Sequence, residues 1–330
     1  MTAMSASSRD RKHRSLRPLT PAAAVTTAAL LLGTALAGCG QGASGTGGKD
    51  GALDVVVGFY PLAYATQQIG GDHVQVTNLT KSGAEPHDVE LTPADVATVS
   101  KSQLAVYEKG LQPAVDDAVA DQPPPHVLDV TGSADLTLKV GSTIGGESSE
   151  AQGDAHGTTD PHFWLDPVRY AEVAKAIAGQ LKSIDPDHAS TYEANLARFT
   201  STLHTLDTQL AAGLKTCANR TMVTSHSAFG YLANRYGLTQ VGIAGISPDE
   251  EPDAAKLAAL ADYTRTHHVT TIYTETLASP AVAQTIASET GAKTAVLDPI
   301  EGLSKSSAAQ DYVGIMKANL ATLRQGQGCS

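Results

Sequence analysis

The feature that most constrains this chain is an alternation, along both halves of the sequence, of short β-branched apolar runs with longer stretches of helical period. Residues 54–59 (DVVVGF) form a continuous apolar run of the kind buried on both faces of a parallel sheet, and Pro61 follows where a helix can begin. Segments 73–80, 104–107 and 126–130 repeat the strand pattern. Between them, Thr92-Pro93-Ala94-Asp95 reads as an N-cap, a first-turn proline and an acidic residue opening a helix to about Ser100. From Pro167 to about Lys215 the pattern is helical, interrupted at Asp185-Pro186. Its second part, 187–214, spaces Tyr192, Leu196, Phe199, Leu203, Leu206 and Leu210 three or four apart. Such a helix is about 40 Å long at 1.5 Å per residue, long enough to act as a strut. The alternation then resumes with strands at 221–225, 240–243, 269–274 and 293–297, separated by helices at 229–236, 253–266 and 280–289, and a last helix near 311–323. Strands separated by helices imply parallel sheets with right-handed crossovers. The expected fold is α/β with two lobes, each a parallel sheet flanked by helices, joined by one long rigid helix. The amino-terminal lobe is expected over 54–186, including an acidic loop at 141–160, the linking helix over 187–215 and the carboxy-terminal lobe over 216–330.

With 330 residues, 42% of them hydrophobic, the chain can bury one large core or two modest ones. No basic cluster follows the first 17 residues and the formal charge is −11, which argues against a nucleic-acid surface. Those basic residues, Arg9, Arg11, Lys12, Arg14 and Arg17, precede an uncharged Ala/Leu stretch at 22–37, the layout of a secretory signal. The stretch is short for a membrane span. It ends Leu36-Ala37-Gly38-Cys39, which resembles a bacterial lipobox whose cysteine is lipidated and becomes the new amino terminus. Residues 1–38 then form the leader, and 39–53, rich in Gly, Ser and Thr, a flexible tether. Cleavage removes five of the 23 basic and one of the 34 acidic residues, leaving 18 against 33 in the exported part, which repels anionic headgroups. The protein is thus expected on the outer face of the bacterial cytoplasmic membrane, held by Cys39. Outside the cytoplasm the remaining cysteines, Cys217 and Cys329, are expected to pair as a disulfide.

Open parallel sheets bind ligands beyond the carboxyl ends of their strands. His226 follows the strand ending at Ser225, Asp298 follows the strand ending at Leu297, and His87 lies in the loop after Thr80. His162 sits among prolines and aromatics in Asp160-Pro161-His162-Phe163-Trp164-Leu165-Asp166-Pro167. Three imidazoles and one carboxylate suit zinc better than calcium or magnesium, which want mostly oxygen. In chain order the four are 75, 64 and 72 positions apart, so no local metal motif joins them, and each histidine alone also reads as a structural or surface residue. Glu275 closes the 269–274 strand and rivals Asp298 as the carboxylate. The acidic loop holds one histidine, His156, a candidate collecting site or merely part of a solvated flap. His267 and His268 point to opposite faces as strand neighbours and read as surface, as do His73, His126, His188 and His204. Ser225-His226-Ser227 lacks the Gly-x-Ser-x-Gly elbow of a hydrolase.

Four blocks carry a resemblance: Glu85-Pro86-His87, the Asp160–Pro167 segment, Ser225-His226-Ser227-Ala228-Phe229-Gly230-Tyr231 ahead of Arg235-Tyr236-Gly237-Leu238, and Leu297-Asp298-Pro299. Over nearly all of 39–330 the chain resembles the metal-binding lipoproteins that feed zinc or manganese to ABC importers, the ZnuA/TroA-like solute-binding family. The resemblance implies His87, His162, His226 and Asp298 as ligands in a cleft between two lobes, with Glu275 orienting an imidazole from behind. Manganese members tend to carry glutamate where this chain has His226, so it also implies Zn2+ over Mn2+ as the transported ion. The implied role is a monomeric carrier, not an enzyme, that delivers zinc to ABC permease subunits in the cytoplasmic membrane. The histidine-poor acidic loop departs from the usual zinc-uptake pattern. The rival readings are a manganese carrier, a zinc hydrolase with Asp298 or Glu275 as base on a metal-bound water, and an adhesin or scaffold using zinc structurally.

Overall fold

The computed structural model describes residues 51–140, 159–250 and 252–330. The expected leader, Cys39, most of the tether and the loop residue His156 lie outside the described residues. The first half places β1 (Leu53–Val57), β2 (Val74–Asn78), β3 (Leu104–Tyr107) and β4 (His126–Asp129) in one sheet of order β2-β1-β3-β4, every pair parallel. The second half repeats it with β5 (Thr221–Thr224), β6 (Thr239–Gly242), β7 (Thr271–Thr274) and β8 (Lys293–Val296) in the order β6-β5-β7-β8, again all parallel.

The unbroken apolar run of β1 has a direct structural cause, since both faces of the strand are covered. Leu53, Val55 and Val57 face the main core, while Val56 faces a second cluster with Leu79, Val99, Ala105 and Val115. One covering layer is α1 (Tyr60–Gly70), with Leu62, Ala65 and Ile69 buried. On the other face lie α2 (Pro93–Lys101), closed at its start by a Thr92/Asp95 capping box, and α3 (Pro113–Asp121). The hydrophobic pattern predicts no helix over 113–121, because nine residues with only Val115, Ala118 and Val119 buried give too short a stripe to read. A one-turn α4 (Thr131–Ala134) follows β4.

The helical middle consists of α5 (Pro167–Ile184) and α6 (Ala189–Gly213), broken at Asp185-Pro186 as the sequence indicates. Asp166 caps α5 by accepting from the Val168 and Arg169 amides and also pairs with Arg235. In α6 the buried stripe is Tyr192, Asn195, Phe199, Leu203, Leu206 and Leu210. Leu196, expected in that stripe, is only half-buried, and Asn195 takes the inward place because its Nδ2 donates to the Ile69 carbonyl, 2.7 Å away. In the second half, α7 (Gly230–Tyr236), α8 (Ala254–Thr266), α9 (Ala281–Thr290) and α10 (Tyr312–Gly326) flank the sheet. The long α6 packs against α5, α1 and α10. At 25 residues it runs about 37 Å. One apolar core runs from Val55 and Val57 through Phe199 and Leu206 to Met222, Ile315 and Leu323, so the two sheets are built onto shared packing. No described helix is long and apolar enough to cross a membrane.

Cys217, just beyond α6, is bonded to Cys329, just beyond α10, across 112 positions. Closing a loop of that size confines the unfolded chain and contributes about 4 to 5 kcal/mol by chain entropy. A Cys217→Ser, Cys329→Ser double variant should therefore lose about that much unfolding free energy in urea titrations, whereas coincident curves for the variant and the parent would refute the contribution.

Candidate metal centre

Four side chains from distant parts of the chain meet at the carboxyl ends of the two sheets. His87 lies between β2 and α2, His162 just before the turn Phe163–Leu165 that leads into α5, His226 just after β5 and Glu301 after β8. One donor atom from each lies within 4.8 Å of all the others. Glu301 Oε1 is 3.4 Å from His87 Nε2, 3.0 Å from His162 Nε2 and 3.1 Å from His226 Nε2, and the last two nitrogens are 3.4 Å apart. A tetrahedral zinc ion with bonds of about 2.0 to 2.1 Å holds its ligands about 3.3 Å from one another, so these spacings match the edges of a zinc tetrahedron. The side chains of His162, His226 and Glu301 are fully buried, and His87 retains 6% exposure.

Carboxylates behind the ring set the direction of two imidazoles. His162 Nδ1 donates to Asp160 Oδ1 at 2.8 Å, and His226 Nδ1 donates to Glu275 Oε1 at 2.7 Å. A proton held on Nδ1 leaves the Nε2 lone pair free and turned inward. The same oxygens also accept the backbone N–H of His162 and His226, at 2.9 and 3.0 Å, fixing the main chain with the ring. The geometry at Glu275 is that of an orienting partner. The sequence alone does not single out Asp160 as an orienting group, although its place two residues before His162 across a proline is the signal that marks such a local turn. Gly230 is required beside it, because a Cβ there would collide with Asp160 Oδ2.

The carboxylate in the cluster is Glu301, and Asp298 is not brought into it. Asp298 Oδ1 is turned back to accept the Ile300 amide at 2.8 Å, and Asn319 binds both the Asp298 amide and its carbonyl, at 3.0 and 2.7 Å. Trp164 Nε1 further ties the Pro299 carbonyl at 2.7 Å. The chain then passes through Ile300, a fully buried β-branched residue with φ 60°, and this left-handed step swings the following residue into the cluster. A rule that takes the residue immediately after a strand finds Asp298 and misses Glu301, since the reversal at Ile300 has no signature in residue type.

With no ion bound the cluster is a network of opposed charges. Burial works to lower the His226 pKa, but the negative charges of Glu275 and Glu301 outweigh it and hold the imidazole well above its ordinary 6.5. For His162 burial is likewise outweighed by hydrogen bonds to Asp160 and Glu301, and its pKa is raised. His87, with burial dominant, is lowered. Glu301 is driven well below 4.5 against its burial by the His226 charge and its hydrogen bonds to the histidines. Glu85, whose Oε1 accepts the His87 amide at 3.1 Å, is pushed up to about 8 by burial and by the Glu301 charge. A cavity of about 740 Å3 lies at the opposite, amino-terminal ends of β7 and β8, among Arg265, His268 and Lys293, and holds none of these groups.

The remaining histidines among the described residues lie elsewhere. His73 and His188 stack at 3.8 Å near the start of α6, His267 stacks on Tyr263, and His126 and His204 are exposed.

The family described as ZnuA, the periplasmic component A of zinc-uptake complexes, matches residues 55–326. A Bacillus subtilis protein named high-affinity zinc uptake system protein ZnuA is 40% identical over 295 residues, covering 88% of this chain and 92% of its own. The zinc-binding lipoprotein AdcA of Streptococcus pneumoniae is 37% identical over 84% of this chain, which spans only 56% of that longer relative. The solved Zn(II)-bound ZnuA-like domain of Streptococcus pneumoniae AdcA superposes with a TM-score of 0.68 at 35% identity, covering 84% of this chain and 99% of the domain. By the extent of that match and those identities, the chain belongs to the ZnuA family of zinc-uptake components.

Proposed function

We propose that this chain is an extracytoplasmic carrier that captures Zn2+ with the Nε2 atoms of His87, His162 and His226 and a carboxylate oxygen of Glu301, and delivers it to an ABC permease. The observation that carries this reading is the convergence of four donor atoms within 4.8 Å of one another, with the Glu301, His162 and His226 donors 3.0 to 3.4 Å apart, close to the edge of a zinc tetrahedron. Three imidazoles with one carboxylate favour zinc over manganese, which prefers oxygen. Four protein donors fill a tetrahedral shell, whereas a catalytic zinc keeps a position open for water, so the donor set supports a carrier and not a hydrolase. In this reading the leader 1–38 exports the chain, lipidated Cys39 holds it at the outer face of the cytoplasmic membrane, and it works there as a monomer. In this reading 54–186 and 216–330 act as the two lobes, with 187–215 as the strut between them, and zinc relatives in the family support the choice of cargo.

Individual variants separate the roles of the carboxylates. Glu301→Ala should weaken Zn2+ binding more than about 100-fold in competition titrations, and Glu275→Gln, which loosens the His226 ring, about 10- to 100-fold. Asp298→Asn should stay close to the parent, since Asn keeps the acceptor for the Ile300 amide. If Asp298→Asn abolished binding and Glu301→Ala did not, the assignment of the fourth ligand would be reversed.

The pH dependence has a definite sign. A histidine raised above its unfolded 6.5 stabilises the fold fully below that value and loses the contribution as pH climbs through the folded pKa. A carboxylate depressed below 4.5 stabilises fully above that value and loses the contribution as pH falls through the folded pKa. His162, His226 and Glu301 together therefore stabilise the metal-free chain most between about pH 4.5 and 6.5. Zinc works against the upper limb because it binds only neutral imidazole and expels the proton. The zinc-induced rise in Tm should be larger at pH 8 than at pH 5.5, and binding at pH 7 should release at least about one proton, read by calorimetry in buffers of different ionisation enthalpy. Equal rises at the two pH values would contradict the ligand set.

A further inference from the structure

Beside the four donors lies a second cavity, of about 240 Å3, lined by His87 and Glu108 with walls that include Leu111, Pro161 and Ile246. His87 is the one member of the donor group with an exposed side-chain surface and the one that lines this cavity. An ion arriving from water therefore meets the site on the His87 side. At about 30 Å3 per molecule the space holds several waters, enough for a partly hydrated cation.

Glu108 is the unexplained feature of this chamber. It is 2% exposed, its Oε2 is buried with no hydrogen-bond partner, and Asp160 adds a second buried carboxylate within charge range. Lys109 stands at the rim, exposed, and its charge acts on Asp116; among the described residues it makes no ion pair with Glu108. A buried carboxyl group with a free oxygen in a water-sized cavity costs folding free energy unless something uses it. Burial and the charges of Asp160, Asp129 and Asp116 hold the Glu108 carboxyl well above its ordinary range, so it keeps its proton until an arriving cation displaces it.

We propose that this cavity is a transient cation station, in which the Glu108 carboxylate receives a partly hydrated divalent ion and passes it to His87 as the ion sheds water into the buried donor group. The assignment rests on the carrier reading above and deepens it, since Glu108 governs how fast zinc enters and leaves while the four-donor group governs how tightly it is held. A residue used only in transit changes both rates together and leaves the equilibrium nearly untouched.

Stopped-flow mixing of the metal-free mature chain with Zn2+ tests the station, read by the fluorescence of Trp164, whose ring lies 5.3 Å from that of His162. In the parent protein the observed rate should level off as Zn2+ rises, the mark of a loosely held ion preceding capture. In Glu108→Gln, entry at low Zn2+ and removal by a chelator should both slow about tenfold, with the equilibrium affinity within about threefold of the parent. A strictly linear rate dependence in the parent overturns the station, and this measurement stands even if the variant does not fold. Unchanged rates in Glu108→Gln overturn it too, as does an affinity loss that comes only from faster release, which would make Glu108 a support of the buried site. Failure of the parent to take up one Zn2+ per chain would instead bring down the carrier reading itself.

Discussion

The structure depends on one electrostatic constraint, that a carboxylate and three imidazoles are held together out of water. Glu301 touches the Nε2 atoms of His87, His162 and His226 at 3.0 to 3.4 Å, and Asp160 and Glu275 hold two of those rings from behind. Gathering this many ionisable groups in a buried space is unfavourable unless opposite charges or a cation satisfy them. Without an ion the histidines partly take that place as cations, which is why His226 is raised and Glu301 lowered together. A divalent ion substitutes for those protons, so the same geometry favours an exchange of protons for metal.

Much of the fold around this cluster is built to keep it from relaxing. The loop that carries Glu301 is fastened from two directions, by Trp164 to the Pro299 carbonyl and by Asn319 to both sides of Asp298. Tyr312 at the start of α10 donates to the Trp164 carbonyl at 2.5 Å, tying the segment that bears His162 to the second half of the chain. The single apolar core beneath both sheets, with α6 lying along it, leaves little freedom for the halves to move independently. Such a scaffold suits local movement of ligand loops better than wide hinge closure.

How far the sequence could be read follows from which forces decide each feature. The eight strands and the break between α5 and α6 are legible because hydrophobic period and proline placement dictate them locally. His87 and His226 could be found by their places after strands, which follow from topology, and His162 by its motif block. Glu301 could not, because its direction is set by the left-handed turn at Ile300 and by hydrogen bonds from Trp164 and Asn319, residues more than one hundred and about twenty positions away. Asn195 was illegible for a similar reason, a polar residue drawn inward by the Ile69 carbonyl on another helix. Glu108 carries no motif at all, and only the burial of an unpartnered oxygen in a cavity draws notice to it.

The most direct measurement of the central claim is zinc K-edge X-ray absorption on the metal-loaded chain, which reports the donor atoms and their distances without reference to activity. The account predicts a four-coordinate ion with three imidazole nitrogens at about 2.0 to 2.1 Å and one oxygen at about 2.0 to 2.2 Å. A shell of six oxygens, or one with fewer than three imidazoles, would contradict it.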